Sequence, residues 1–234
     1  MNERITRRGS LARLGALLVG AATAGDAWSA TGPSAVASGA VSCVLTPELT
    51  EGPYYIANEK VRRDITEGKP GTPLLLHLGV VDVSTCKPLK GALVDIWHCD
   101  AGGIYSGFVS ASTGGPGGSG PTDHRTFMRG IQPTAASGIA TFKTIYPGWY
   151  RGRTVHIHVK VHLGGNVVHT GQVFFSDPLT DIVYKAKPYS ARPGRDTRNA
   201  DDAIYRNGGS KSVLAVHKVI SGYAGAITMG VHRA

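Results

Sequence analysis

Two histidines one residue apart, His156 and His158, sit in an alternating stretch: Val155-His156-Ile157-His158-Val159-Lys160-Val161-His162-Leu163. Alternation is the period of a strand, and residues two apart in a strand project from one face. Two neutral imidazoles so placed can bind one metal ion without distorting the backbone. Taken alone, such a pair is more often not a metal site. Its company changes the reading. Just upstream runs Tyr146-Pro147-Gly148-Trp149-Tyr150-Arg151-Gly152-Arg153. A phenolate is a hard, anionic donor that favours ferric iron over zinc or cuprous copper. A nearby arginine would stabilise negative charge developing on a bound aromatic substrate. In isolation this segment reads more readily as a tyrosine-rich turn packed on a sheet edge.

The elements that must hold these groups read as short strands. Residues 74–82, 92–97, 139–145, 155–163 and 167–175 carry strand patterns, and 212–224 suggests a last strand. Turn signals recur between them, with 32 glycines in the chain. A glycine-rich stretch over 110–121 excludes helix and central strand there. The expectation is an all-β fold, an antiparallel β-sandwich with long irregular loops. Residues 38–73, rich in proline and glycine, predict an irregular N-terminal arm laid over the sandwich domain of 74–234. The tail over 177–209 reads as polar loop, because Pro178, Pro188 and Pro193 bar long helices.

With 41% hydrophobic and 18% charged residues in 234, the chain can bury a core and is not broadly disordered. A formal charge of +9 invites a nucleic-acid partner. The basic residues are scattered, however, and no nucleic-acid motif accompanies them, so none is expected. Residues 1–37 read as an export signal. Arg7-Arg8 precede an apolar run over 14–24, too short to span a bilayer, and Ala35-Val36-Ala37 offers a small-residue cleavage site. The paired arginines resemble a twin-arginine signal, which implies an export machinery as partner and an exported, secreted or periplasmic product. Cys43, Cys86 and Cys99 match no zinc spacing. In an oxidising compartment two of them would pair. Cys86 and Cys99 bracket one extended strand, too far apart to bridge. That leaves Cys43–Cys86 favoured over Cys43–Cys99, with both open.

The segments LTPELTEGPYY, GALVDIWHCDAGGIYSG, FMRGIQPT and TIYPGWYRGRTVHIHV, in that order, resemble the intradiol ring-cleavage dioxygenases, relatives of protocatechuate 3,4-dioxygenase and catechol 1,2-dioxygenase. The resemblance covers residues 45–177. It implies one Fe(III) per chain, with Tyr105, Tyr150, His156 and His158 as metal ligands. It also implies that Arg153 steadies the substrate, that Gln172 supports that arginine, and that Leu49, Thr50, Gly52, Pro53, Tyr54 and Tyr55 wall the substrate pocket. For Tyr54 and Tyr55, plain packing explains the residues equally well. The implied reaction opens a catechol-type ring with O₂ to a cis,cis-muconate-type product, Tyr150 leaving the metal to act as a base. Thr154 and Val155 stand where many relatives have proline and alanine, and the connection from Tyr150 to His156 is shorter than in protocatechuate-type enzymes. Both differences alter the pocket rim and leave the ligands in place.

Two other classes share parts of the pattern. Cupins also place His-x-His on a strand but add a glutamate soon after, and no glutamate follows Glu67 here. A secreted, non-catalytic β-sandwich binding module would explain the strands. It would not explain tyrosine, arginine and histidine together. His98, His162 and His169 match no ligand position. His77, His124, His217 and His232 are expected to be surface or structural residues.

Overall fold

The computed structural model describes residues 43–115 and 120–233. The expected export signal lies outside them. Among the described residues eight strands form two sheets: β1 (Pro73–Asp82), β2 (Leu93–Trp97), β3 (Arg129–Pro133), β4 (Ile139–Ile145), β5 (His156–Leu163), β6 (Asn166–Phe174), β7 (Ala215–Val219) and β8 (Gly222–Val231). One sheet has the order β4-β1-β8-β7, the other β3-β2-β5-β6. The fold is an all-β sandwich.

Alternation makes the interface between the sheets. Leu74, Leu76, Leu78 and Val80 of β1, Phe142 of β4, Val94 and Ile96 of β2, and Ile157, Val159 and Val161 of β5 are buried in one core. Burying each such side chain contributes about 1.5–3 kcal/mol. The opposite face of β5 carries His156, His158 and Lys160, yet these are buried too. The reason is the arm. It bridges Leu45 to Gly230, donates from the Leu49 amide to the Thr170 carbonyl at 3.0 Å, and bridges Val61 to Ile131 and Asp64 to Lys143. A roof of chain thus lies over the outer face of the β3-β2-β5-β6 sheet.

Several expectations need correction. The first sheet is mixed: β1 runs parallel to β8 while pairing antiparallel with β4. The last segment is a hairpin, β7 and β8, rather than one strand, because the chain reverses at Ile220-Ser221 into Gly222 at φ 142°. Strand β3 was not expected; it pairs with β2 beneath the arm. The glycine-rich stretch holds one helical turn, α1 (Val109–Ser112). The tail is more ordered than a polar loop. It contains α2 (Asp177–Val183), with proline in its first turn, and α3 (Ala203–Arg206), capped by Asp202. Arg195 ties Asp177 and Asp181 together at 2.6 and 2.9 Å.

All three cysteines are free thiols, so the expected bridge is not formed. Cys99 is buried and donates to the Gly148 carbonyl at 3.2 Å, which removes it from Cys43. Cys43 lies beside Cys86, and burial together with that neighbour pushes its thiol up to about 11. Among the described residues no helix is long and apolar enough to cross a membrane.

Candidate active site

The β2–β5–β6 register sets the site. Trp97 pairs with His158, and His158 with Gln172, so all three side chains share the outer face. The Trp97 indole stacks on the His158 ring at 4.9 Å between centroids, with planes 8° apart. The indole therefore fixes the tilt of that imidazole. Gly52 of the arm crosses above it at φ 74°; a Cβ there would stand 3.0 Å from His158 Cε1. Only glycine meets both demands at that position.

His156 is oriented from behind. Its Nδ1 lies 2.7 Å from the Thr154 carbonyl, which can only accept, so Nδ1 carries the proton and Nε2 presents a lone pair. That Nε2 lies 3.1 Å from His158 Nε2 and 3.1 Å from the Tyr150 hydroxyl. Tyr150 reaches this point through a tight turn, in which its carbonyl accepts from the Arg153 amide at 3.3 Å and Gly152 takes φ 78°. Tyr105 enters from the loop after β2, its ring edge-on to Tyr150 at 5.6 Å and to His158 at 6.2 Å. Its hydroxyl is buried and makes no hydrogen bond. The structure thus brings Tyr105, Tyr150, His156 and His158 together.

Electrostatics fits this donor set to a cation. Burial first, then Arg153, lowers His156 to about 3, and burial with His156 takes His158 well below the usual imidazole range. Both rings are neutral at neutral pH and could serve as metal ligands. Burial raises Tyr105 and Tyr150 above the usual phenol range, with Arg153 opposing the rise at both. Two buried phenols ionise here only if a strongly acidic cation sits between them, and such a cation would also relieve the facing lone pairs. Among the described residues no cluster of three or more His, Cys, Asp and Glu is placed to hold a metal. The candidate centre is built on tyrosine and histidine.

Arg153 is held on two sides. Its Nε donates to Asp202 Oδ2 at 2.8 Å and its Nη2 to Gln172 Oε1 at 2.6 Å, while Gln172 Nε2 donates to the Thr50 carbonyl at 2.9 Å. A cavity of about 260 Å³ opens in front of the tyrosines, lined by Tyr54, Gly103, Tyr105, Ala111, Ser112, Gly114, Tyr150 and Arg151.

These features carry the motif order into space, and the family comparison agrees with them. A family model described as Dioxygenase matches residues 50–193, more than half of the chain. The chain belongs to the intradiol ring-cleavage dioxygenase family. It is similar to a solved intradiol ring-cleavage dioxygenase from Tetranychus urticae, at 38% identity and a TM-score of 0.77, over 81% of this chain and 95% of that one. The dioxygenase domain of a dioxygenase carbohydrate-binding protein fusion from Streptomyces sp. SirexAA-E is 32% identical, with a TM-score of 0.60, over 82% of this chain and all of that one (100%). Catechol 1,2-dioxygenase 1 of Acinetobacter lwoffii is 34% identical over 45% of this chain. The match spans only 32% of that relative's own length.

Within the family site, the arm residues divide. Tyr54 lines the cavity, ring to ring with Tyr105 at 4.6 Å. Gly52 covers His158, and Thr50 works through its carbonyl on Gln172. Tyr55 turns away from the cavity: it packs on Trp97 at 4.8 Å, with Lys160 Nζ 3.7 Å above its ring. Leu49 and Pro53 do not line the cavity either. His98 is buried between the Cys99 carbonyl and Thr144 Oγ1, away from the site. His162 lies further along β5 beside a separate cavity with Asp95.

Sequence reasoning missed four contributors: Trp97, Asp202, the Thr154 carbonyl, and Arg129. Arg129 is buried and donates to the Tyr54 and Ser106 carbonyls, each at 2.7 Å. Strand parity relates Trp97 to His158 once the β2–β5 register is known. No spacing in the sequence points to Asp202.

Proposed function

We propose that this protein cleaves catechol-type rings with O₂ between the two hydroxyl-bearing carbons, using one Fe(III) held by Tyr105, Tyr150, His156 and His158. The observation that carries this reading is the meeting of the Tyr150 hydroxyl and the Nε2 atoms of His156 and His158 within 3.1 Å contacts, beside the unpartnered Tyr105 hydroxyl. Hard phenolate oxygens with neutral imidazoles suit a ferric ion. When bound, that ion supplies Lewis acidity that withdraws electron density from a catecholate and opens it to O₂.

The chain's own residues do the rest. Tyr150 lines the cavity from its turn, and takes a substrate hydroxyl proton at its phenolate oxygen. Tyr105, fully buried, stays in place with the two histidines. Arg153, aimed by Asp202 and Gln172, stabilises negative charge as the ring becomes ketonic. Tyr54 and Tyr105 flank the cavity as aromatic walls, and the arm keeps bulk water from His158. The product is a cis,cis-muconate-type diacid.

Metal analysis, a visible spectrum and O₂ uptake on a catechol panel test this together. About one iron per chain, a visible phenolate-to-ferric band and O₂ consumption are expected. A colourless protein with stoichiometric zinc or copper and no O₂ uptake would leave a binding module as the reading. We further propose that residues 1–37 export the folded protein through a twin-arginine route, supported by Arg7-Arg8 and the apolar run behind them.

A further inference from the structure

The cavity before Tyr105 and Tyr150 has small residues on its far wall and an unbalanced charge on its rim. Gly103, Ala111, Ser112 and Gly114 face the tyrosines. Gly114, just after α1, is exposed, and a Cβ there would meet nothing within 4 Å, so this side of the cavity opens outward and a ring substituent can point that way. Among the described residues, Arg151 is the one charged residue in the lining, and no carboxylate joins it there. Its guanidinium is exposed and has no hydrogen-bond or ion-pair partner among the described residues.

A second guanidinium adds to the field. Arg192 lies 3.9 Å over the Trp149 ring and donates to the carbonyls of Gly102, at 2.7 Å, and Trp149. Its Nη1 stands 2.5 Å from where a Cβ on Gly103 would be, directly behind the cavity wall. Carbonyls orient this cation without cancelling its charge. Arg153, by contrast, is neutralised by Asp202. Asp196 Oδ1 accepts from the Gly152 amide at 3.3 Å and from the Thr197 hydroxyl at 2.8 Å, and forms no ion pair with Arg151 or Arg192.

We infer that Arg151 is a specificity-determining residue that makes this site prefer catechols bearing an anionic ring substituent, such as a carboxylate, over neutral ones. This rests on the catechol reading above. A free guanidinium fork at the mouth offers a carboxylate two parallel hydrogen bonds. Low-dielectric aromatic walls and Arg192 focus positive potential on the same place. The substituent would point outward along the small-residue wall while the two hydroxyls face the tyrosines and histidines.

The test compares 3,4-dihydroxybenzoate with 4-methylcatechol, which place a charged or a neutral group at the same ring position. The kcat/KM ratio of the pair is measured for the iron-loaded full chain and for Arg151→Gln. Intrinsic differences in ring reactivity cancel between the two proteins. The ratio should fall about three- to tenfold in the variant, chiefly through KM for the benzoate, as befits an exposed ion pair. Added salt at about 0.5 M should lower the parent's ratio more than the variant's, in which only Arg192 still acts on the anion. A ratio that neither the substitution nor salt alters overturns the inference. Calorimetric titration of both compounds into both proteins reads the same preference without turnover. If neither ring is cleaved, the proposed reaction fails, and the titration still decides whether Arg151 selects the anion.

Discussion

Asp202 binds Arg153 and shapes the backbone beside it with one carboxylate. Its Oδ2 accepts the Arg153 Nε–H at 2.8 Å and the Thr154 amide at 2.9 Å, while Oδ1 accepts the Ile204 and Tyr205 amides at 2.8 and 3.0 Å. Thr154 is the residue whose carbonyl orients His156. The guanidinium, the His156 imidazole and the start of α3 therefore share one anchor. Its partners hold Asp202 below the usual carboxylate range, although burial pushes the other way.

Asp202→Ala should therefore act in two ways at once. Loss of the cap costs about 1 kcal/mol of stability. Misdirection of Arg153 should slow turnover by roughly 10–100-fold. Arg153→Ala should retain iron, colour and catechol binding while ring opening slows, because only the developing charge loses its partner. Rapid-mixing kinetics that show weaker binding with unchanged ring opening would remove Arg153 from that role.

Tyr150→Phe deletes one oxygen at the centre. Iron should still bind through Tyr105, His156 and His158, with a weaker visible band. Turnover should drop by roughly 10²–10⁴-fold, as for loss of a positioned base. Tyr146→Phe is the comparison. The Tyr146 hydroxyl bonds Thr180 Oγ1 at 2.7 Å in the core, so this variant should lose about 1 kcal/mol of stability and keep its spectrum. A bleached Tyr146 variant beside a coloured Tyr150 variant would reverse the assignment.

Asp95 lies buried on the same sheet face. Burial raises it to about 7 from 3.8, with Glu59 adding to the rise and Tyr55, Lys160 and Arg129 opposing it. Between those values the unfolded chain gives up the proton and the folded chain keeps it. The folded state then binds more protons, and stability declines as pH rises through that window. Asp95→Asn removes the penalty. Its advantage over the parent should grow from pH 4 to 7, by about 1.4 kcal/mol per pH unit at most, and then level off. Urea unfolding at several pH values reads this directly, and a constant difference would refute it.

Replacing Arg7 and Arg8 by lysine should trap the precursor inside the cell, since the paired arginines address the twin-arginine route. Cell fractionation checks it. Undiminished export of the double variant would end the proposal.

The sequence by itself determined the strands whose one face is apolar and the loops that carry the motifs. Residues 139–145 and the His156–His158 strand were legible because hydrophobic alternation encodes burial locally. The tyrosines and histidines of the candidate site were legible only through motif order, since Tyr105 lies far from His156 in the chain. Tertiary structure decided what depends on distant partners. The parallel β1–β8 pairing leaves no local signature, and β3 is completed by the arm crossing it. Tyr55 lies outside the cavity, its ring packed on Trp97 under the Lys160 ammonium. Asp202 became the anchor of Arg153 only because the tail folds back onto the Tyr150 turn. Local pattern fixes which face is buried; only packing fixes what is buried against it.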